Sequence, residues 1–250
     1  MKLWKSWVIA RKDFATFRTK RYVIYSLVVA PLLISIGLPL LIWLSLRSGI
    51  PPSQLPDVIS GLHDVLNAFF FLFVLIAGIL PISIGAYSIV GEKLERTLEP
   101  LLATPTTDGE ILLGKVVAAF LPSIIATYAG AVIFMALMDA ATSTTLGCVF
   151  FPNWTVAAIL LVLVPLISIL SVEFNVIISA RVSDVRAARQ FGALITLPLA
   201  GIYVAAEADF VSLTPTNLAI ISAIILVIDV LLFSLSRATF RREEILTKWK

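Results

Sequence analysis

Charge is scarce in this chain. Only 14% of its 250 residues are charged, against about 25% in an ordinary soluble domain. With 59% hydrophobic residues and a mean hydropathy of +1.01, that scarcity excludes a water-facing globular fold. Cysteine is almost absent: Cys148 stands alone, so no intrachain disulfide can form, and it reads as a small apolar residue. Histidine is equally rare. His63 is the single one, which rules out H-E-x-x-H and any Cys/His metal cluster. No G-x-S-x-G occurs, and a histidine-dependent serine site would have to rely on His63 with no serine partner in view. Neither a catalytic site, a resident metal nor a nucleic-acid partner is expected. No small-x-small cleavage site follows the first apolar run, which is too long for a signal-peptide core, so it is expected to remain as an anchor.

One match to a phosphate-binding loop needs a decision. Gly109-Glu110-Ile111-Leu112-Leu113-Gly114-Lys115 fits G-x-x-x-x-G-K, but Val116 stands where a magnesium-binding hydroxyl is required. Three bulky apolar residues in the cradle, no preceding strand and an apolar run directly after it argue against nucleotide binding. Asn153-Trp154-Thr155 matches the glycosylation sequon but abuts an apolar run, and reads as accidental.

What the chain has in quantity is long apolar runs. A membrane-spanning helix needs about 20 mostly apolar residues. Six stretches qualify, near 22–46, 65–90, 116–138, 155–180, 190–206 and 216–236. Pro31, Pro39, Pro81, Pro122, Pro165 and Pro198 fall inside them, where neighbouring helices can satisfy the freed backbone groups. Every lysine and arginine except Arg47 sorts to one side of this layout. The positive-inside rule then places both termini in the cytoplasm of a multi-pass protein of the cell membrane. The fold class predicted is all-α, a single transmembrane domain spanning 1–250.

Residues 1–20 make a separate element. Leu3, Trp7, Ala10, Phe14 and Phe17 recur at helical spacing, with Lys2, Lys5, Lys12 and Lys20 mostly off that face. The pattern predicts an amphipathic helix lying in the inner interface, its basic side toward anionic membrane lipid. The outer loops expected at 47–64, 139–154 and 207–215 are too short to be domains.

The segment 91–115 differs from everything around it. It is short, charged and punctuated by Pro100 and Pro105, and it lies between two apolar runs. It reads as a docking element offered to a soluble partner. Its residues Glu92-x-x-Glu95-x-Thr97-Leu98-Glu99-Pro100-Leu101-Leu102-Ala103-Thr104-Pro105, followed by Glu110-Ile111-Leu112-Leu113-Gly114-Lys115, resemble the signature of ABC-2 type permeases, the membrane subunits of one class of ATP-binding-cassette exporters. Ile9-Ala10-Arg11-Lys12-Asp13-Phe14 resembles the interfacial helix that opens them. Val182-Ser183-Asp184-Val185-Arg186-Ala187-Ala188-Arg189-Gln190 resembles their entry to span five.

That resemblance implies two permease subunits, identical or related, pairing with two copies of a cytoplasmic ABC ATPase. ATP and magnesium would then sit on the partner, and no cofactor on this chain. It also implies a coupling helix within 92–105. Glu92, Glu95 and Glu99 would offer carboxylates to the partner, Leu98, Leu101 and Leu102 would fill its apolar groove, and Arg96 and Thr97 belong to the same segment. Leu94 and Arg96 depart from the family pattern, standing where an acidic residue and a glycine are usual. The family's longer, re-entrant segment before the last span is compact here, at 207–215.

Two carboxylates fall inside predicted spans. Glu173 and Asp229 each lie eight residues before an arginine at the inner end, roughly 12 Å deep. An ionisable residue there is costly and marks function by default. Glu173, Asn175 and Asp229 are expected to line a substrate path, the two acids being protonated, hydrogen-bonded to Asn175, Ser168 or Ser171, or facing a wet cavity. Two other readings follow from the same residues: an ATP-independent ion- or proton-coupled carrier using Glu173 and Asp229, or a membrane scaffold without transport.

Overall fold

A computed structural model describes residues 3–47, 55–207 and 214–239, and among these there is no strand. The helices in chain order are α1 (Leu3–Thr19), α2 (Arg21–Leu46), α3 (Leu55–Leu94), α4 (Leu98–Leu102), α5 (Asp108–Thr145), α6 (Trp154–Ala158), α7 (Val164–Arg181), α8 (Val185–Gly192), α9 (Thr196–Glu207) and α10 (Pro215–Thr239). Six stretches are long and apolar enough to cross a membrane: Arg21–Leu46, Asp57–Leu94, Asp108–Thr145, Trp154–Arg181, Val185–Ala205 and Pro215–Ser236.

The helices overrun the apolar runs that predict them. The loop expected at 47–64 is, from Leu55 on, the first turns of α3, and the one expected from 139 is helix as far as Thr145. Charged and polar residues end a lipid-compatible stretch, but they do not end a helix. The compact loop expected at 207–215 falls largely on residues 208–213, outside the described ones.

Prolines account for the two irregular helical segments. Pro165 and Pro198 have no N–H to give the carbonyl four residues earlier. Ahead of Pro165, Ile159–Leu163 widens into a π-helical turn, and the Tyr128 hydroxyl donates to the Leu160 carbonyl at 2.9 Å. Ahead of Pro198, Ala193–Ile195 tightens to a 3-10 turn, so the fifth span is α8 and α9 joined end to end.

Helix α3 occupies the centre, packed against α7, α5, α8, α9 and α2. Its apolar core is aromatic, with Phe70, Phe73, Phe134 and Phe151 in contact at centroid distances of 4.9–6.1 Å. A polar seam joins it to α7. Ser171 donates to the Gly78 carbonyl, and Ser179 donates to the Ala86 carbonyl at 2.9 Å. The same Ser179 hydroxyl accepts from the amides of Ile89 and Val90 at 3.0 Å. Such side-chain bonds hold helices together where water is not available to compete. Helices α2, α9 and α10 lie at the periphery and leave large apolar side chains such as Leu33, Leu197 and Leu231 exposed.

Helix α1 packs on α5 through a face that takes in only part of the predicted stripe, Ala10 and Phe17. Ser6, Ile9, Ala10, Asp13 and Phe17 face inward, while Leu3, Trp4 and Trp7 are exposed. The inward face carries a carboxylate, which an apolar-periodicity reading does not select.

Candidate functional site

Four segments meet at one end of the bundle: α1, the last turn of α3, the loop carrying α4, and the first turns of α5. The Lys115 ammonium sits among them, 1% exposed. It donates to Asp13 Oδ2 at 3.0 Å and to the Ser88 carbonyl at 2.9 Å, and pairs with Glu92 Oε1 at 3.1 Å. Lys12 reaches the same Glu92 oxygen at 2.6 Å. Burial pushes the Asp13 carboxyl above its ordinary range, and the Lys115 charge opposes that rise. Two lysines and two carboxylates from α1, α3 and α5 thus form one clamp.

A second tie lies closer to the surface. Glu95 accepts from the Tyr87 hydroxyl at 2.7 Å and from Lys20 at 3.0 Å, and these bonds hold its carboxyl below the ordinary range. Lys5 donates to the Pro105 carbonyl at 2.5 Å, attaching the start of α1 to the far side of the loop. Lys93 turns the other way, donating to the carbonyls of Ala180 and Val182 at 2.8 and 3.2 Å, where α7 ends.

These contacts correct the expected roles of several residues. Glu92 is 7% exposed and belongs to the internal clamp, so it does not face outward to a partner. Glu95 is exposed but engaged by Lys20 and Tyr87. Leu98 and Leu101 are buried in this chain's own apolar cluster with Ile9, Phe17, Ile111 and Leu112, not held out for a partner's groove. The side chains of Glu99 and Leu102 lie outside the described residues. Exposed on this loop are Leu94, Arg96, Pro100, Ala103 and Pro105, with Thr97 half-buried.

The local backbone explains how the loop is aimed. The Thr97 amide bonds to the Glu92 carbonyl at 2.9 Å, and the Arg96 amide to the Lys93 carbonyl at 3.2 Å. This is a Schellman ending of α3, and Arg96 occupies its left-handed position at φ 56°. Glycine is favoured there because it has no Cβ to strain. Arg96→Gly is therefore expected to stabilise the protein by about 0.5–1 kcal/mol in thermal unfolding; an unchanged or lower midpoint would mean that the arginine makes a compensating contact.

At the other side of the loop, Thr107 and Glu110 close a reciprocal capping box on α5. The Glu110 amide donates to Thr107 Oγ1, and the Thr107 amide to Glu110 Oε2. From Asp108 on, the G-x-x-x-x-G-K match is regular helix, and its lysine is held by Asp13 and Glu92. Gly114 is there for a different reason: a Cβ on it would lie 2.8 Å from the Ser6 carbonyl oxygen and 2.9 Å from Ile9 Cβ, against the backbone of α1.

Deeper in the bundle, two of the residues expected on one path, Glu173 and Asn175, lie on different faces of α7, and the third, Asp229, lies on α10. Asn175 faces α3 and α8, with its side chain against Gly85 and Gly192, and donates to the Ser171 carbonyl at 2.8 Å. Ser171 joins it on the α3 side. Glu173, two residues away, lies on another face of α7, and α10, which carries Asp229, packs against α7. Neither Asn175 nor Ser171 is a hydrogen-bond partner of Glu173. Two residues along an α-helix rotate about 200°, so that division was readable from spacing alone. Asn153 caps α6 through the Val156 amide and donates to Asn67 Oδ1, both at 2.8 Å, which engages the sequon's carboxamide inside the protein.

Sequence reasoning missed the clamp residues Asp13, Lys12 and Lys115 as a group. Asp13 lies 102 residues from Lys115, and only an aspartate on the periodic face of α1 hinted at an internal partner. The capping box had a plainer signal, Thr107-x-x-Glu110 ahead of an apolar run.

Residues 7–208 match the family model described as ABC-2 family transporter protein. No curated protein matches the chain.

Proposed function

This chain belongs to the ABC-2 family of transporter proteins and is a multi-pass membrane permease of an ABC transporter; from that premise we propose that it is the membrane-spanning subunit of an exporter. It would move substrate out of the cytoplasm using ATP hydrolysed elsewhere, on two copies of an ABC ATPase that hold the nucleotide and magnesium. A second permease subunit, identical or related, completes the assembly. Both termini and the loop after α3 face the cytoplasm in this reading. The exposed Trp4 and Trp7 of α1 lie at headgroup level, with Arg11 and Arg18 toward anionic lipid. The chain itself has no catalytic role. Its substrate path runs beside α7 and α10, lined by Glu173 and Asp229, with Asn175 fixing the opposite face of α7.

One observation carries the coupling role: the loop 94–105 is held by Lys5–Pro105, Lys20–Glu95 and the two flanking caps, and the Lys115 clamp joins α1, α3 and α5 at its base. A push on the loop therefore reaches two spans together. Glu92, Glu95, Leu98 and Leu101 act by holding the loop in shape, and Leu94, Arg96, Pro100 and Ala103 supply the surface that meets the ATPase.

Co-expression with candidate soluble ATPase subunits, followed by purification on a tag carried by this chain, tests the proposal. The control variant replaces Leu94, 58% exposed, and Ala103 by aspartate, leaving the clamp intact. An ATPase that co-purifies with the wild type and binds the variant about tenfold or more weakly supports the reading. A well-folded chain that retains no ATPase would favour the ion-coupled carrier instead.

A further inference from the structure

Glu173 lies in the second half of α7 and Asp229 in the second half of α10, and the two helices pack side by side. Both residues are 6% exposed. Oε2 of Glu173 and both carboxylate oxygens of Asp229 have no hydrogen-bond partner. Buried polar groups are ordinarily bonded, and a buried carboxylate without a partner is among the costliest groups a fold can carry. Here two occur on helices packed against each other, each with unbonded carboxylate oxygen.

The surrounding helices supply no relief. On α3, Glu92 belongs to the clamp, Lys93 is turned to the end of α7, and Asp57 and His63 lie near the opposite end of the helix. On α5, Lys115 is in the clamp, Asp108 and Glu110 are in the first turn, and Asp139 binds the amides of Phe150 and Phe151. On α8, Arg189 lies over the Tyr22 ring at 4.4 Å, and Arg186 is in the first turn. The π-helical turn Ile159–Leu163 carries no charge. Among the described residues, no lysine or arginine pairs with either carboxylate.

Acceptor oxygens from two helices, with like charge and no donor, make a surrounding complementary to a cation. Calcium or magnesium requires about six oxygen ligands, more than two carboxylates supply. A proton or an ammonium group needs only a few acceptors, an alkali-metal ion would complete its shell with water, and any of these placed between the two carboxylates relieves their repulsion. We infer that Glu173 and Asp229 together form a binding site for one monovalent positive charge at the α7–α10 seam: a proton, an alkali-metal ion or the ammonium group of a transported substrate. This rests on the reading of that seam as the substrate path, and it assigns the path a cationic or cation-coupled cargo. Helix α10 is peripheral, so a small parting from α7 would open the pair toward one side and release its charge.

The experiment needs no ATPase. The chain in lipid nanodiscs is unfolded by heat at constant ionic strength, with choline chloride replaced stepwise by sodium, potassium or methylammonium chloride. A parallel series lowers the pH from mildly alkaline to mildly acidic. The wild-type midpoint is expected to rise by roughly 5 °C at a hundredfold excess of the bound ion over its dissociation constant. A rise with acid alone identifies the proton, one with sodium or potassium an alkali-metal ion, and one with methylammonium alone an amine-bearing substrate. Glu173→Gln and Asp229→Asn should each abolish the response. The double variant should be insensitive and at least as stable as the ion-free wild type, because two buried charges are removed. A wild type unmoved by all four conditions would overturn the inference, as would a response that survives in both single variants. So would a double variant less stable than the ion-free wild type, since that would make the carboxylates structural. Retention of the ATPase is measured separately, so a missing cation response leaves the permease reading intact, and a missing ATPase leaves the cation site intact.

Discussion

Lys115→Met is expected to cost about 3–5 kcal/mol, the usual result of removing one partner from a buried ion cluster. Asp13 would lose the one ammonium it pairs with, and Glu92 would keep only Lys12. Two carboxylates would then remain in a site from which water is excluded. The physical consequence is release of α1 from α5, because the clamp lies on the face between them. Thermal unfolding in detergent should show a midpoint lower by roughly 10 °C, with new protease cleavage within residues 3–19. The triple variant Asp13→Asn, Glu92→Gln, Lys115→Met should regain most of the lost stability, since no buried charge is then left unpaired. A single variant as stable as the wild type would mean that the cluster is open to water and does not act as a clamp.

Gly114→Leu should detach the same helix by steric means. The atoms its Cβ meets are the Ser6 carbonyl oxygen and Ile9 Cβ, backbone and near-backbone, which cannot swing aside as a side-chain tip could. Overpacking of this kind costs about 1–3 kcal/mol, and here relief requires moving the whole of α1. Gly114→Ala meets the same contact but gains about 1 kcal/mol of helix propensity, so it should fall between the two. Stability in the order glycine, alanine, leucine, paired with ATPase retention in the same order, would tie α1 docking to coupling. An alanine variant more stable than the wild type would show that α1 is not seated closely on α5. Both experiments probe the same joint, one through charge and one through shape, and only the first can be rescued by neutralising carboxylates.

The membrane class and the number of long apolar helices were legible because a bilayer imposes a length and a composition that composition itself reports. The ends of those helices were not. Asp57 and His63 belong to α3 although they look like loop residues, because helix formation requires only that the backbone continue. The charged segment was legible as an interruption of the apolar runs, but the facing of its side chains was not. Glu92 and Glu95 look like free carboxylates in a short charged run, yet Glu92 is met by Lys12 of α1 and Lys115 of α5, and Glu95 by Lys20 just after α1 and by Tyr87 of α3. Leu98 and Leu101 look available in a five-residue helix, yet the nearest apolar surface is the chain's own. Arg96 shows the opposite case. A departure from the family pattern gained a physical meaning once its backbone angle was known.

The sequence by itself determined that this chain lives in a membrane, that it is built of long helices, and that one charged segment interrupts the apolar runs. Each follows from local composition, which lipid and water sort without reference to tertiary contacts. Only the tertiary structure decided which charges are neutralised inside the protein and which are left facing one another. Lys12, Asp13, Glu92 and Lys115 come from three helices and cancel; Glu173 and Asp229 come from two and do not. Pairing depends on which helix faces meet, and long-range packing sets that.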